Sequence, residues 1–252
     1  MENLPAPRDP DPMAEISALA TLYRRANGPV MALVNRLGGS VEKQLAVIPE
    51  ATRRQIEAQV TRALEASLGL ARQADRLPDP GPRGRMAAAM ASGALGGAGG
   101  IATALAELPV SITMILAAIR AEAREAGFDP DDPAIRAECI RVFGAGSPLA
   151  ADDGINTTFL SARLTLTGPA VHRMLAAVAP RLAAAMGQKL AAQAVPVIGA
   201  ATGAALNAAF LGYYRDMARI RFGLMRLSVL HGAERVLADF RDLAEPPKLR
   251  KL

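Results

Sequence analysis

Few residues in this chain of 252 have side chains suited to catalysis or metal binding. The two histidines, His172 and His231, lie far apart at no metal-ligand spacing, so a surface or capping role is favoured over a catalytic pair. No serine stands in a Gly-x-Ser-x-Gly turn, and the glycine run at residues 96–100 is not followed by the Lys-Ser/Thr of a phosphate-binding loop. The sequence therefore predicts no cofactor, no metal site and no catalytic residue, and it favours a protein without enzymatic activity.

Two polar residues, Glu107 and Asn207, each stand inside an otherwise apolar segment. A buried carboxylate is costly unless it is paired or protonated, and Arg120 is a candidate partner if the chain folds back on itself. One interpretation is a structural hydrogen bond that fixes the register of two helices. The other is a polar site lining a cavity for a lipid or another amphiphile, with Glu107, Arg120 and Asn207 as the candidate ligand-binding residues.

The composition favours helices as the elements that position these residues. Hydrophobic residues make up 51% of the chain but aromatic residues only 4%, and most of the apolar residues are small and aliphatic, above all alanine. Alanine has the highest helix propensity, whereas the scarcity of aromatic residues disfavours a β-sandwich and a base-stacking nucleic-acid binder. The single cysteine, Cys139, excludes an internal disulfide, and a net charge of +5 is too small to indicate nucleic-acid binding. We expect an all-α multi-helix bundle that does not bind nucleic acid.

Two long segments, residues 86–106 and 190–214, contain no charged residue until Glu107 ends the first and Arg215 ends the second. Both have the length of a bilayer span, and both carry small residues at a spacing of four, which places them on one helix face. Because such faces let two backbones approach closely, we predict that the two segments pack against each other. The small residues are Ser92, Gly93, Gly96, Gly97, Gly100 and Ala104 in the first segment, and Gly199, Ala200, Gly203, Ala204, Ala208 and Gly212 in the second.

Three interpretations of these segments stay open at the level of sequence. They form a buried helix pair in an all-α core, or they span a membrane, or they form a hairpin that rests on a bilayer surface or inserts conditionally. Alanine and glycine drive insertion only weakly. Glycine also costs about 1 kcal/mol relative to alanine in a helix, so glycine-rich faces favour a close helical partner.

The chain divides at clusters of proline and glycine. Residues 1–12 are proline-rich and predict a disordered tail, residues 13–77 an N-terminal helical arm, and residues 86–243 the main helical body. The stretch PDPGPRGR at residues 78–85 predicts a break that no helix crosses, and residues 244–252 form a basic tail. A final helix is expected to continue from the second uncharged segment to about Leu243.

The two uncharged segments and their flanks resemble the EcsC family. The stretch GALGGAGGIATALAELPVSITMILAAIRAEAREAGFDPDDP is similar to one family signature, and QAVPVIGAATGAALNAAFLGYYRDMARIRFGLMRL is similar to a second. Arg221-Phe222 stands where the family usually has a His-Phe pair. The resemblance implies an all-α protein tied to membrane processes and implies no established enzymatic reaction. The residues matching the second signature are Gln193, Pro196, Gly199, Gly203, Asn207 and Phe210.

Two functions from different classes remain. The first is a non-enzymatic accessory protein that associates with the cytoplasmic face of a membrane or with a membrane transporter, attached through arginines of the final helix. The second is a soluble enzyme such as a hydrolase, or an amphiphile-binding protein, with a pocket near Glu107 and Asn207. No secretory signal is recognisable, so we expect a cytoplasmic protein, either free or peripheral on the inner membrane. The candidate membrane-surface residues are Arg215, Arg219, Arg221 and Arg226.

Overall fold

A computed structural model describes residues 11–26, 62, 66–67, 69–73, 78–99, 101–144 and 196–244. All regular structure in these ranges is helical and none of it is strand, which confirms the predicted all-α fold. Gln193, His172 and most of the predicted N-terminal arm lie outside the described residues, so the division into arm, body and tails stays a prediction. The helices are α1 (Pro12–Ala26), α2 (Gly81–Ala98), α3 (Ile101–Glu125), α4 (Pro133–Gly144), α5 (Pro196–His231) and α6 (Ala233–Ala244).

Helices α2, α3 and α5 form the centre of the bundle, and the contact between α2 and α5 is the most extensive. Gly97 on α2 faces Gly199 on α5. Four residues earlier on α2, Gly93 faces Gly203, which lies four residues later on α5, so these two helices run antiparallel. The predicted packing of the two uncharged segments is therefore confirmed.

The remaining helices cover the C-terminal half of α5 and the outer side of α3. Helices α1 and α6 pack against α5 and against each other, and α4 packs against α3 and α5. The rings of Tyr23 and Phe240 join α1 to α6 with centroids 5.9 Å apart, and those of Phe143 and Tyr214 join α4 to α5 at 5.1 Å. Cys139 on α4 is buried in this core. The large apolar side chains thus lie around α5 beyond its glycine-packed start.

Helices α2 and α3 both contain residues that commonly interrupt a helix. Helix α2 begins at Gly81, directly after Pro80, and residues 78–80 are not helical, so no helix crosses the stretch 78–85. Helix α3 continues through Pro109, although a proline inside a helix typically costs about 3 kcal/mol. Packing of α3 against α2 and α5 on either side of Pro109 offsets that cost.

The predicted final helix is two helices. Gly232 has a φ of +89°, a left-handed conformation that glycine adopts readily, and it separates α5 from α6. Its amide donates to the carbonyl of Ser228 at 3.1 Å, which completes the last turn of α5. The apolar spacing continues across this glycine, which is why the sequence pattern predicts one continuous helix.

Within the part of the chain that the structure describes, no helix is both long and apolar enough to cross a membrane.

Candidate functional site

The crossing of α2 and α5 brings two backbones into direct contact. A Cβ atom built on Gly93 would lie 2.1 Å from the carbonyl oxygen of Gly203, and one built on Gly97 would lie 1.9 Å from that of Gly199. Both distances are far below van der Waals contact, so only glycine fits at these two positions of α2. A Cβ on Gly96 would instead lie 2.9 Å from the side chain of Glu107 on α3. Gly93 and Gly97 of α2 therefore contact α5, whereas Gly96 contacts α3.

A buried cluster of four polar side chains lies beside this crossing and joins all three central helices. Glu107 Oε1 accepts hydrogen bonds from Ser92 Oγ at 2.6 Å, from Ser111 Oγ at 2.5 Å and from Asn207 Nδ2 at 2.9 Å. Ser92 belongs to α2, Glu107 and Ser111 to α3, and Asn207 to α5. We call these four residues the polar cluster.

Asn207 uses both ends of its amide within the polar cluster. Its Nδ2 also donates to the carbonyl of Ala89 at 3.0 Å, and its Oδ1 lies 3.1 Å from the Ser111 hydroxyl. Only 4% of Asn207 is exposed, so each of these groups would be costly to leave without a hydrogen bond. The hydrogen bond between Glu107 and Asn207 joins α3 to α5. Its role is therefore structural, because it fixes the register of these two helices.

The cavity beside the polar cluster is too small for an amphiphile. Ser111, Asn207 and Phe210 line a cavity of about 10 Å³, which holds at most one water molecule. This cavity, as the described residues line it, therefore has no room for the amphiphile of the second interpretation.

Arg120 does not join Glu107, although the sequence groups them. Both residues lie on α3, and thirteen residues of helix separate them by about 20 Å. Arg120 donates instead to the carbonyl of Pro130 at 2.9 Å and to Asp131 Oδ1 at 3.1 Å, in the turn that follows α3. The hydrogen bond from Arg120 lowers the pKa of the Asp131 carboxyl below its ordinary value, and the charges of Arg120, Arg72 and Arg136 add to this.

The four candidate membrane-surface arginines do not share one exposed face. Arg221 is only 5% exposed and contacts Glu138 on α4 through Nε at 2.9 Å and Nη2 at 2.8 Å, so its assignment to a membrane surface is corrected. Arg226 pairs with Glu15 of α1, and Arg215 contacts the neighbouring Asp216 at 3.1 Å. Arg219 is exposed.

Two buried carboxylates were not predicted from the sequence. Glu138 on α4 contacts both Arg221 and Arg141, and its spacing to Arg141 is the signal that could have revealed it. Glu122 on α3 lies near Arg85, Arg215 and Arg219, which come from two other helices. Burial raises the pKa of the Glu122 carboxyl and the charge of Glu125 raises it further, while the three arginines act in the opposite direction.

Three described residues of the second signature, Gly199, Gly203 and Asn207, lie on the face of α5 that contacts α2. The helix begins at Pro196, Gly199 and Gly203 contact the glycines of α2, and Asn207 completes the polar cluster. Phe210 is buried beside Tyr214, with ring centroids 6.3 Å apart. The residues of this motif are three or four positions apart, which is the spacing of one helix face.

These contacts define an all-α bundle whose centre is closed by glycine-to-backbone contacts and a buried polar cluster. A family model described as the EcsC protein family matches residues 33–227, which is most of the chain, and the chain belongs to that family. Comparison with curated proteins and with solved structures found no match.

Proposed function

We propose that this chain is a non-enzymatic accessory protein that binds peripherally to the cytoplasmic face of a membrane. The surface of the glycine-packed end of the bundle supports this proposal best, because it is exposed and uncharged. In this arrangement the end of the bundle, and not the face of the final helix, contacts the lipid.

Among the described residues, the exposed positions at this end are alanine, larger apolar residues, threonine or glycine. Leu95 on α2 is 75% exposed, and Met90 and Val110 are 44% and 49% exposed. Large exposed apolar patches on proteins commonly mark contact with a partner or a membrane. We call the following set the apolar end: Ala87, Ala88, Met90, Ala91, Leu95 and Ala98 of α2, Thr103, Ala106 and Val110 of α3, and Ala201 and Ala205 of α5.

Three arginines lie close together farther along the bundle axis from the apolar end. Arg85, Arg215 and Arg219 come close enough together to act on the same carboxyl, that of Glu122. Arg85 precedes Leu95 by ten residues, so its backbone lies about 15 Å along α2 from Leu95. Arginines at this distance from an inserted apolar surface suit the height of lipid headgroups.

The apolar end supplies most of the attraction in this proposal. Arg85 pairs with Asp79 and Arg215 with Asp216, and Glu122 lies near all three arginines, so little net charge faces the lipid. Each uncompensated cation near an anionic leaflet contributes about 1 kcal/mol and is screened by salt. We therefore expect weak, reversible attachment that salt reduces but does not abolish.

The test is co-sedimentation with vesicles of phosphatidylglycerol and phosphatidylethanolamine, and with vesicles of phosphatidylcholine alone, over a salt series. Leu95→Glu places a charge in the apolar end and should lower vesicle affinity about tenfold or more. Val229 is 79% exposed on α5, about 45 Å along the helix from Gly199, so Val229→Glu is the matched control and should bind as the wild type does.

Two outcomes would contradict this assignment. One is the absence of binding to either kind of vesicle. The other is an equal loss of binding in the Leu95 and Val229 variants. Retention on native membranes without binding to protein-free vesicles would point to a membrane transporter component as the partner, and would replace the proposed lipid contact.

A further inference from the structure

A second cavity lies between the helical residues 69–73, α3 and α4, away from the polar cluster. Its volume is about 180 Å³, against about 10 Å³ for the cavity beside Asn207. An apolar cavity of about 150 Å³ can hold benzene, so this one has room for a small organic group. Three arginines line it together with an apolar wall: Arg72, Arg120 and Arg136 with Ala71, Leu116 and Cys139.

Among the described residues, arginines line this cavity and carboxylates do not. The carboxylate of Asp131 is exposed and contacts Arg120 at 3.1 Å and Arg72 at 3.3 Å. The nearby Asp129 and Asp132 carboxylates accept hydrogen bonds from backbone amides of the same turn. Among the described lining residues there are therefore three guanidinium groups and no acid.

One donor on the wall of this cavity has no acceptor. Arg136 Nη2 donates to the carbonyl of Asp131 at 3.0 Å, whereas its Nε is buried and finds no hydrogen-bond partner among the described residues. A buried donor of this kind is costly in a folded protein and calls for an explanation. Because Nε has almost no accessible surface, a ligand in the cavity would contact other atoms of the Arg136 side chain.

We propose that this cavity binds a phosphate group carried on a small apolar moiety, with Arg72, Arg120 and Arg136 as its recognition residues. A planar guanidinium presents paired N–H groups that match the oxygens of a phosphate. The carbon atoms next to the phosphate lie against Leu116 and Ala71. Both a soluble phosphate monoester and the headgroup of an anionic phospholipid carry this chemistry. The site does not depend on the apolar end, so its existence is independent of the membrane contact.

Gly69 provides a way to block the cavity without disturbing the fold. It lines the cavity in a helical stretch, and a Cβ built on it meets no atom within 4 Å. A leucine at this position has space to extend into the cavity. Because leucine is also a better helix former than glycine, Gly69→Leu should keep or raise the thermal midpoint.

The experiment is isothermal titration calorimetry of the full chain with inorganic phosphate and, separately, with dihexanoyl phosphatidic acid below its micelle concentration. We expect at least one of the two to bind the wild type. Arg136→Gln should lower the affinity about tenfold, the loss typical of removing one hydrogen bond to a charged group, and Gly69→Leu should lower it about as much by occupying part of the cavity. Arg25 is exposed on α1 and does not line the cavity, so Arg25→Gln is the matched control and should change the affinity less than about twofold.

The two ligands distinguish the sources of the phosphate. Binding of inorganic phosphate as tightly as the lipid favours a soluble phosphate compound, whereas binding of the lipid alone favours a headgroup. The proposal is overturned if neither ligand binds the folded wild type. It is equally overturned if Arg136→Gln and Gly69→Leu, with their folding verified by circular dichroism, bind with wild-type affinity. If inorganic phosphate binds as tightly as the lipid, vesicle co-sedimentation of these variants should match the wild type, which separates failure of this site from failure of the membrane contact.

Discussion

Gly97 lies so close to Gly199 that a Cβ atom on Gly97 would stand 1.9 Å from the Gly199 carbonyl oxygen. Gly93 and Gly203 repeat the relationship one turn away with 2.1 Å. These two contacts set the distance between α2 and α5 and bring Asn207 within reach of Glu107. Glycine is retained in α2 despite its helix cost because no other residue permits this approach.

Substitution at the crossing should therefore be costly even for alanine. Gly97→Ala forces the two helices apart, and we expect a loss of about 1–3 kcal/mol in the free energy of unfolding. Gly212→Ala is the matched control on α5, because a Cβ there meets no atom within 4 Å, and it should raise stability by up to about 1 kcal/mol. Urea unfolding of both variants provides the measurement. Equal effects of the two substitutions would show that α2 and α5 do not touch at Gly97.

The contact between α2 and α5 was predictable because the pattern that specifies it lies within each of the two sequence segments. Small residues every four positions define one face, and the structure places Gly93, Gly97, Gly199 and Gly203 on the faces expected. Gly212 continues the spacing but meets nothing, since the crossing has ended by that point. The spacing therefore predicts which faces meet but not how far along the helices the contact extends.

The partners of the charged residues were less predictable, because the fold brings together residues that are far apart in the sequence. Arg221 and Glu138 are 83 positions apart in sequence, and no pattern links them. Arg120 binds the turn at Pro130 and Asp131, which is close to it in sequence, and not Glu107, the partner expected from a chain that folds back. The division of the expected final helix at Gly232 also differs from the prediction, since the apolar spacing continues across this glycine.

The polar cluster should behave as one energetic unit. Asn207→Ala removes a donor to Glu107 and to the Ala89 carbonyl, and we expect it to cost about 1–3 kcal/mol of stability. Glu107→Ala should cost a similar amount, and the double variant should cost clearly less than the sum because both single changes break the same hydrogen bond. Combining Asn207→Ala with Val236→Ala, a buried residue of α6 outside the cluster, should be additive. Urea unfolding measures all of these, and additivity of the Glu107 and Asn207 changes would contradict a shared network.

Glu122 should make the protein less stable as the pH rises from acidic to neutral. Burial raises the pKa of its carboxyl in the folded state, with a further contribution from Glu125. The folded protein thus holds this proton more tightly than the unfolded chain does. The stabilising contribution is complete below the unfolded pKa and is lost as the pH rises through the folded pKa.

Glu122→Gln stays neutral, so we expect it to be more stable than the wild type at about pH 7 and indistinguishable from it at about pH 4. Thermal unfolding across this range is the measurement, and a variant that is less stable at neutral pH would contradict the expectation.

The two neighbouring arginines of α5, Arg219 and Arg221, should respond in opposite ways to the same substitution. Arg221→Met leaves Glu138 buried without its contacts at 2.8 Å and 2.9 Å, and removing one partner of a buried ion pair typically costs about 3–5 kcal/mol. Arg219→Met changes an exposed side chain and should alter stability by less than about 0.5 kcal/mol. In the vesicle assay the order reverses, because Arg219 is exposed near Arg85 and Arg215, whereas Arg221 is buried against Glu138. The Arg219 variant should bind anionic vesicles less tightly, whereas any Arg221 variant that folds should bind as the wild type does. Similar stability losses in both variants would mean that Arg221 is not buried against α4, and the corrected assignment of that residue would fail.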